Sequence, residues 1–351
     1  MKQPNSLNLG GLCFAWAIFV GASVGCWSAR PDDVVVYAAL DREFSEPILS
    51  AEATASGLHV LPVYDLESTK TLGLVARIEA ESGSPQCDLF WNNEILHTLR
   101  LKEAGLLRPL NIPDSTLEQY PEQFRDVDKT WIGIAARARV IIVNTRLMPD
   151  RSQWPTKVAD LGDASRPEPR ALAKPLFGTT ATHMTVLHER WGDDEFRDFL
   201  KRLSQTTTVV SGNKQVATGV AAGEFAWGMT DTDDAIIELE QGGEVAIIYP
   251  DQDSVGALLI PNTLACPMNS PHSANADRLL ASLLRPEIET RLADGPSAQI
   301  PLHQSVRDQS RLFANESEQP RWMNVPWEQV SRRWPQTKEL LTGWLHDLGV
   351  P

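Results

Sequence analysis

The sequence predicts an α/β fold in two lobes, and three observations predict it. Strands and helices alternate from residue 34, the alternation resumes near residue 180, and long extended runs at residues 131–144 and 257–266 lie between and after these series. Val34-Val35-Val36-Tyr37 is a short β-branched run suited to a strand buried on both faces. A helix over residues 43–56 follows, with Phe44, Ile48 and Ala51 at helical spacing. Residues 58–64 form a second strand, and Ser68-Thr69 precede a helix that carries Leu72, Val75 and Ile78 on one side and stops at Gly83. Asp88-Leu89-Phe90-Trp91 is a third strand, and residues 95–104 a helix closed by Gly105. Three strands separated by helices within so short a stretch imply parallel pairing with right-handed crossovers, and ligand contacts at the strand C-terminal ends. Those ends hold residues 38–41, 64–69 and 91–94.

The run at 131–144 exceeds an ordinary strand of about 5 or 6 residues, which suits a strand crossing between lobes. The Pro-rich stretch 165–175 reads as a loop. Then come a helix from Thr180, another over 193–203, a strand at 207–210, a helix at 213–222, a strand at 225–229, a helix at 232–241 and a strand at 245–249. Residues 257–266 could cross back. Residues 274–292 form one amphipathic helix with Leu279, Leu280, Leu283, Leu284 and Ile288 on its buried side. The tail from Pro320 concentrates Trp322, Trp327, Trp334 and Trp344, and reads as helices packed on the body. The division that follows is lobe 1 from residues 33–136 plus 260–312, lobe 2 from 137–259, and a C-terminal part from 313–351.

At 351 residues with 42% hydrophobic and 22% charged positions the chain can bury a sizeable core. A net charge of −14 offers no basic surplus to neutralise a phosphate backbone, so a nucleic-acid partner is excluded as an expectation. Lys2 is the only charge before an apolar run from Leu12 to Val24, too short to span a bilayer and ending in small residues, so residues 1–25 read as an export signal. Ser23-Val24-Gly25-Cys26 resembles the lipobox of bacterial lipoproteins, which implies diacylglycerol on the Cys26 thiol and a membrane-anchored protein outside the cytoplasm. Ser23 stands where that motif usually has an aliphatic residue. Cys87 and Cys266 remain in the body, either bonded in an oxidising compartment or as two buried thiols. No CxxC or HExxH spacing supports structural zinc.

The segment order resembles the extracellular solute-binding proteins of ABC importers, in the branch that includes the ferric-ion-binding proteins. The phrases that carry the resemblance are Val36-Tyr37, Glu67-Ser68-Thr69-Lys70, Cys87-Asp88-Leu89-Phe90-Trp91, Ala104-Gly105-Leu106-Leu107 and Arg139-Val140-Ile141-Ile142-Val143-Asn144. Later come Gly223-Glu224, Pro261-Asn262-Thr263, Pro271-His272-Ser273-Ala274-Asn275-Ala276 and Leu283-Leu284-Arg285-Pro286-Glu287. The resemblance implies a two-lobed periplasmic-binding-protein fold with two crossing strands as hinge, a small ligand clamped between the lobes, an ABC permease as partner, and a monomer without a resident cofactor. It also implies ferric ion as transported ligand. One departure stands out: where ferric-binding members carry adjacent tyrosines, this chain has Trp227-Gly228-Met229-Thr230-Asp231-Thr232-Asp233-Asp234. Asp231 and Asp233 are the hard oxygen donors left to hold a cation there.

Candidate ligand-binding residues follow from this placement. Ser68 and Thr69, Gly178, Thr179 and Thr180, and Ser211 and Asn213 put hydroxyls, amides or free N–H groups at helix starts, where the dipole favours an anion; the same residues serve as ordinary N-caps. Tyr37, Trp91, Asn92 and Glu94 lie at strand ends, with Asn93 and Trp227 as further lining residues, although Trp91 ends an apolar strand, where a tryptophan is more often core. Arg137 and Arg139 alternate along the crossing strand and share a face, to grip an anion or to form ion pairs. His183 is a further ligand candidate. The combination suits a cation with a synergistic anion, or a zwitterion or anion such as an aminophosphonate. Asp231-Thr232-Asp233 also has the DxD spacing of metal-dependent glycosyltransferases, but no Gly-rich phosphate loop, GxSxG elbow or EF-hand loop accompanies it. The expectation is a binding protein, not an enzyme.

Overall fold

The computed structural model describes residues 31–65, 72–307 and 319–350. Residues 1–25, read above as an export signal, and Cys26, Glu67, Ser68 and Thr69 lie outside the described residues. The first lobe opens with β1 (Asp33–Ala38), α1 (Arg42–Ser56), β2 (His59–Tyr64), α2 (Leu72–Ala80), β3 (Leu89–Asn92), α3 (Leu96–Glu103), β4 (Leu107–Arg108) and α4 (Asp114–Leu117). Strand β5 (Trp131–Asn144) leads into β6 (Arg170–Ala173), α5 (Gly178–Thr206), β7 (Thr208–Val210), α6 (Asn213–Ala222), β8 (Trp227–Asp231), α7 (Thr232–Glu240) and β9 (Val245–Ile248). The chain returns through β10 (Leu259–Pro267) to α8 (Ser273–Leu283), α9 (Pro286–Asp294) and α10 (Trp327–Asp347).

The strands run in the order β2-β1-β3-β10-β5-β8-β6-β7, with β4 beside β10 and β9 beside β5. β1 is parallel to β2 and β3, and β6 is parallel to β7 and β8, as expected of strands joined by helical crossovers. The two crossing strands are antiparallel. Residues 131–138 of β5 pair with β10, and from Arg139 onward β5 pairs with β8 and β9. Every residue of β5 is buried, so this one strand belongs to the core of both halves of the sheet. The extended run read from the sequence matches β5 residue for residue, and α6 spans the expected residues 213–222.

Two elements differ from expectation. The helix expected over residues 274–292 breaks into α8 and α9, because Pro286 forces Arg285 into an extended conformation (φ −73°, ψ 143°) and then opens the next helix from its first turn. The Pro-rich loop contains β6, whose Arg170 is buried yet satisfied by the carbonyls of Leu161, Arg166 and Asp163. The two helices expected after Thr180 are both present as the two arms of α5, separated at Gly192, whose φ of 78° and ψ of 175° are non-helical and open to glycine. Trp327, Trp334 and Trp344 lie on a single helix, α10, which packs on α3 and α5, whereas Trp322 pairs with Ala257 and meets Tyr249 edge-on. His188 bonds Thr337 at 2.7 Å, and Trp334 meets His97 edge-on.

Cys87 and Cys266 are buried free thiols. Burial pushes the Cys266 thiol up to about 12 and raises Cys87 well above its ordinary value, so neither is a ready nucleophile. Gly228 on β8 has a structural reason. A Cβ there would meet Val216 Cγ1 at 2.5 Å and the Ala171 carbonyl at 2.8 Å, so glycine lets α6 lie directly on the sheet and fixes where its N-terminus falls.

Candidate functional site

The alternation of β5 sends the Arg137 and Arg139 side chains to one face, where β8 ends and α5, α6 and α7 begin. In the β5–β8 register Arg139 is opposite Asp231, and its Nη1 donates to Asp231 Oδ1 at 2.7 Å. The same nitrogen reaches Asn213 Oδ1 at 3.0 Å and Thr179 Oγ1 at 3.3 Å. The second oxygen of Asp231 accepts from Thr179 Oγ1 at 2.5 Å and from Asn213 Nδ2 at 2.9 Å. Thr180 Oγ1 donates to Asn213 Oδ1 at 3.0 Å. Three element ends, the starts of α5 and α6 and the C-terminal end of β8, are therefore joined through one aspartate. Next along the strand, Arg137 Nη1 lies 3.0 Å from Asp233 Oδ2 in the first turn of α7.

A second group of polar residues comes from the other half of the sheet. Glu94 is fully buried and accepts from the backbone N–H groups of Leu96 at 2.6 Å and His97 at 3.0 Å, which caps α3. Asn92 Nδ2 donates to Glu94 at 3.1 Å. Thr182 Oγ1, on α5, donates to Glu94 Oε2 at 2.9 Å. This bond joins the loop after β3 to the helix after β6.

His183 sits behind Arg139. Burial, and next the Arg139 charge, lower its pKa well below the ordinary range and keep the ring neutral. Its Nδ1 accepts from Arg139 Nε at 3.4 Å, so the proton belongs on Nε2, which has no partner among the described residues. Among the described residues Arg139 Nη2 and Arg137 Nε are likewise buried donors without a partner, whereas Asn92 Oδ1, in the second group, is an orphaned acceptor. Buried polar groups are normally satisfied, so this corner is rich in unused donors.

Asp231, Asp233 and Asp234 each offer an oxygen within 4.8 Å of the others. Their donor chemistry fits a hard cation. Both oxygens of Asp231, however, are already engaged by Arg139, Thr179 and Asn213, so a cation bound there competes with a guanidinium.

The structure thus gathers Arg137, Thr179, Thr180, Asn213, Asp231 and Asp233, with Gly178 at φ 53° leading into α5, and it links Asn92 and Glu94 through Thr182. Tyr37 is not brought there. Its side chain is directed to the end of α2, where the hydroxyl donates to Glu81 at 2.8 Å and Arg77 lies 4.7 Å from the ring. Ser211 is exposed and donates to Gln215 at 2.7 Å. Trp91 is fully buried in β3. Thr182 escaped the sequence reading, although Thr179, Thr182 and His183 follow the three- and four-residue spacing of one helix face.

A sheet of two halves joined by paired crossing strands, with a polar array beside them, defines a solute-binding protein of the periplasmic-binding class. Residues 84–332 match the family of bacterial extracellular solute-binding proteins, and the chain belongs to that family. The Fe(3+)-binding periplasmic protein of Serratia marcescens is 30% identical over 154 residues, 43% of this chain and 44% of that one; the aligned stretch spans less than half of the relative. The ferric binding protein of Campylobacter jejuni has the same fold at a TM-score of 0.78 and 21% identity, covering 89% of this chain and 99% of that one. So does the periplasmic binding protein AfuA of Actinobacillus pleuropneumoniae, in a structure with fructose-6-phosphate bound, at 0.75 and 18%, covering 91% and 99%. Among the described residues no helix is long and apolar enough to cross a membrane.

Proposed function

We propose that this chain is the receptor subunit of a bacterial ABC importer, which captures a ferric ion together with an anion between two lobes and presents the closed form to a membrane permease. The observation that carries the reading is the array itself: hard carboxylate oxygens of Asp231 and Asp233 stand beside the α5 and α6 starts, so cation and anion donors converge at one place. The Serratia marcescens relative supports iron as cargo. In this reading Asp231 and Asp233 turn from their arginines to the metal, while Thr179, Thr180, Asn213 and the released guanidiniums hold the anion. The lobes are residues 33–136 with 260–312, and 137–259. Binding free energy spent on contacts to both stabilises the closed state. The chain acts by binding and carries out no catalysis.

A second reading has its own observation. The buried ion pairs neutralise the carboxylates, and the unused donors on Arg137, Arg139 and His183 suit an anion with several oxygens and no metal, such as a phosphate ester or an aminophosphonate. Titration calorimetry separates the two. Ferric ion supplied with phosphate or carbonate is expected to bind with at least micromolar affinity. Tight binding of fructose-6-phosphate or 2-aminoethylphosphonate, with none of ferric ion, would transfer the conclusion to the anion.

Lipidation at Cys26 would hold the receptor at the membrane and raise its effective concentration at the permease. Cys26→Ala is then expected to release the protein into the soluble extract, and retention in the membrane fraction would remove the anchor from the account.

A further inference from the structure

The crossing point of the two long strands carries a carboxylate that the binding site does not use. In the β5–β10 register the pairing shifts between Pro261 and Asn262, and Ala135 is left as the extra residue of a bulge with φ of 37°, a left-handed conformation that a residue with a Cβ rarely adopts. Asn262 Nδ2 holds the Ala135 carbonyl at 2.7 Å. The Ala135 N–H leaves the ladder and donates instead to Glu289 Oε1, on α9, at 2.5 Å. The other oxygen, Oε2, accepts from the N–H groups of Leu302 at 2.9 Å and His303 at 2.6 Å, beside the place where Ile300 pairs with Ala136. One carboxylate therefore ties the bend of a crossing strand to the chain segment that follows α9.

Glu289 is fully buried, and among the described residues no cationic side chain comes within ion-pair distance. On the segment after α9, His303 faces it through its backbone, and burial lowers the pKa of that ring. Tyr120 stacks edge-on against His303 at 5.2 Å, its phenol raised by burial and then by Glu289. On α9 itself, Arg291 turns to Glu52 and the Pro47 carbonyl, and Glu287 acts on His303. On β5, residues 131–136 carry no charge, and Arg137 is engaged with Asp233.

We propose that Glu289 is the pin of the hinge: ionised, it locks the bulge of β5 to the segment at Leu302–His303, and on taking up a proton it releases Ala135, so that the receptor opens more readily as its surroundings acidify. The proton belongs on Oε1, which has one donor, whereas Oε2 has two. A hydroxyl there would face the Ala135 N–H with a proton in place of a lone pair. Burial outweighs the three N–H bonds and pushes the carboxyl up to about 7, so the change falls near neutral pH. Because the folded value lies above the ordinary 4.5, the native state binds the proton first, and this group adds stability as pH falls through that window. The Ala135 N–H bond lowers the proton affinity of Glu289, so losing that bond while the carboxyl stays buried raises it further; protonation then favours the released bulge while overall stability is kept, and the hinge loosens without unfolding the chain.

The proposal rests on the two-lobed clamp but on no particular cargo, so it is tested on the ligand-free protein. Hydrogen exchange, corrected for intrinsic rates, is followed from pH 8 to pH 6 together with the scattering envelope. Protection of residues 131–138 is expected to fall about tenfold in the wild type, the worth of one hydrogen bond to a charged group, while the radius of gyration rises. Glu289→Gln should show weak protection at both pH values and an envelope that does not respond. Should E289Q fail to fold, His303→Gln replaces it, and there the pH response must persist. Constant protection in the wild type, an equal response in E289Q, or a response abolished in His303→Gln would each overturn the proposal. So would lost protection with an unchanged envelope.

Discussion

Two arginine–carboxylate pairs of the same length show how much the surroundings decide. Arg139–Asp231 on the crossing strand and Arg42–Glu46 on α1 both close at 2.7 Å. The first pair has side chains 0% and 3% exposed, the second 67% and 41%. In the interior the attraction is strong but each charge has lost its hydration, so each partner is tolerable only while the other is present. On the helix surface both charges stay hydrated and screened. Equal distances therefore carry unequal consequences, and the buried pair also sits where four elements meet.

The largest effect expected on that contrast comes from removing one buried partner. Arg139→Leu leaves Asp231 buried without its counter-charge and takes donors from Thr179, Asn213 and His183, at a cost of about 3–5 kcal/mol in guanidinium unfolding. Adding Asp231→Leu removes the stranded charge and should recover much of that loss, because apolar replacements of a buried pair are often near neutral. Both variants are expected to lose binding of ferric ion and of phosphate esters. If the double variant is as unstable as the single one, the cost lies in packing and not in the unpaired charge.

Much of this arrangement could be read from residue order, for reasons that differ by element. β5 was legible because fourteen apolar and alternating residues admit no helical reading, and α6 because Asn213 and Gly223 mark its two ends. β6 was hidden because prolines surround a strand whose Arg170 looks like a surface residue until the carbonyls that satisfy it are known. The Arg137 and Arg139 pairs could be foreseen as sharing a face, but not their partners, since a register across ninety residues fixes those. Tyr37 shows the opposite limit. It stands near a strand C-terminal end, where ligands are expected, yet its side chain runs back along α2 to Glu81, and no local pattern encodes that direction. The bond between Glu94 and Thr182 joins residues 88 positions apart and exists only because the fold brings the loop after β3 to the first turns of α5.

The smallest effect is expected at the exposed pair. Arg42→Ala should leave the denaturation midpoint unchanged within replicate error, since an arginine preceding a glutamate by four residues is in the less favourable order and salt screens what remains. Arg42 also lies 5.5 Å from the Tyr64 ring, a contact that is not an ion pair. A measurable loss would therefore have two distinguishable sources. If it vanished in 1 M sodium chloride, the surface ion pair would carry more than its exposure allows, and the contrast with Arg139 would weaken. If it persisted at high salt, the loss would belong to the stacked face of Tyr64, and the ion pair itself would still contribute nothing detectable.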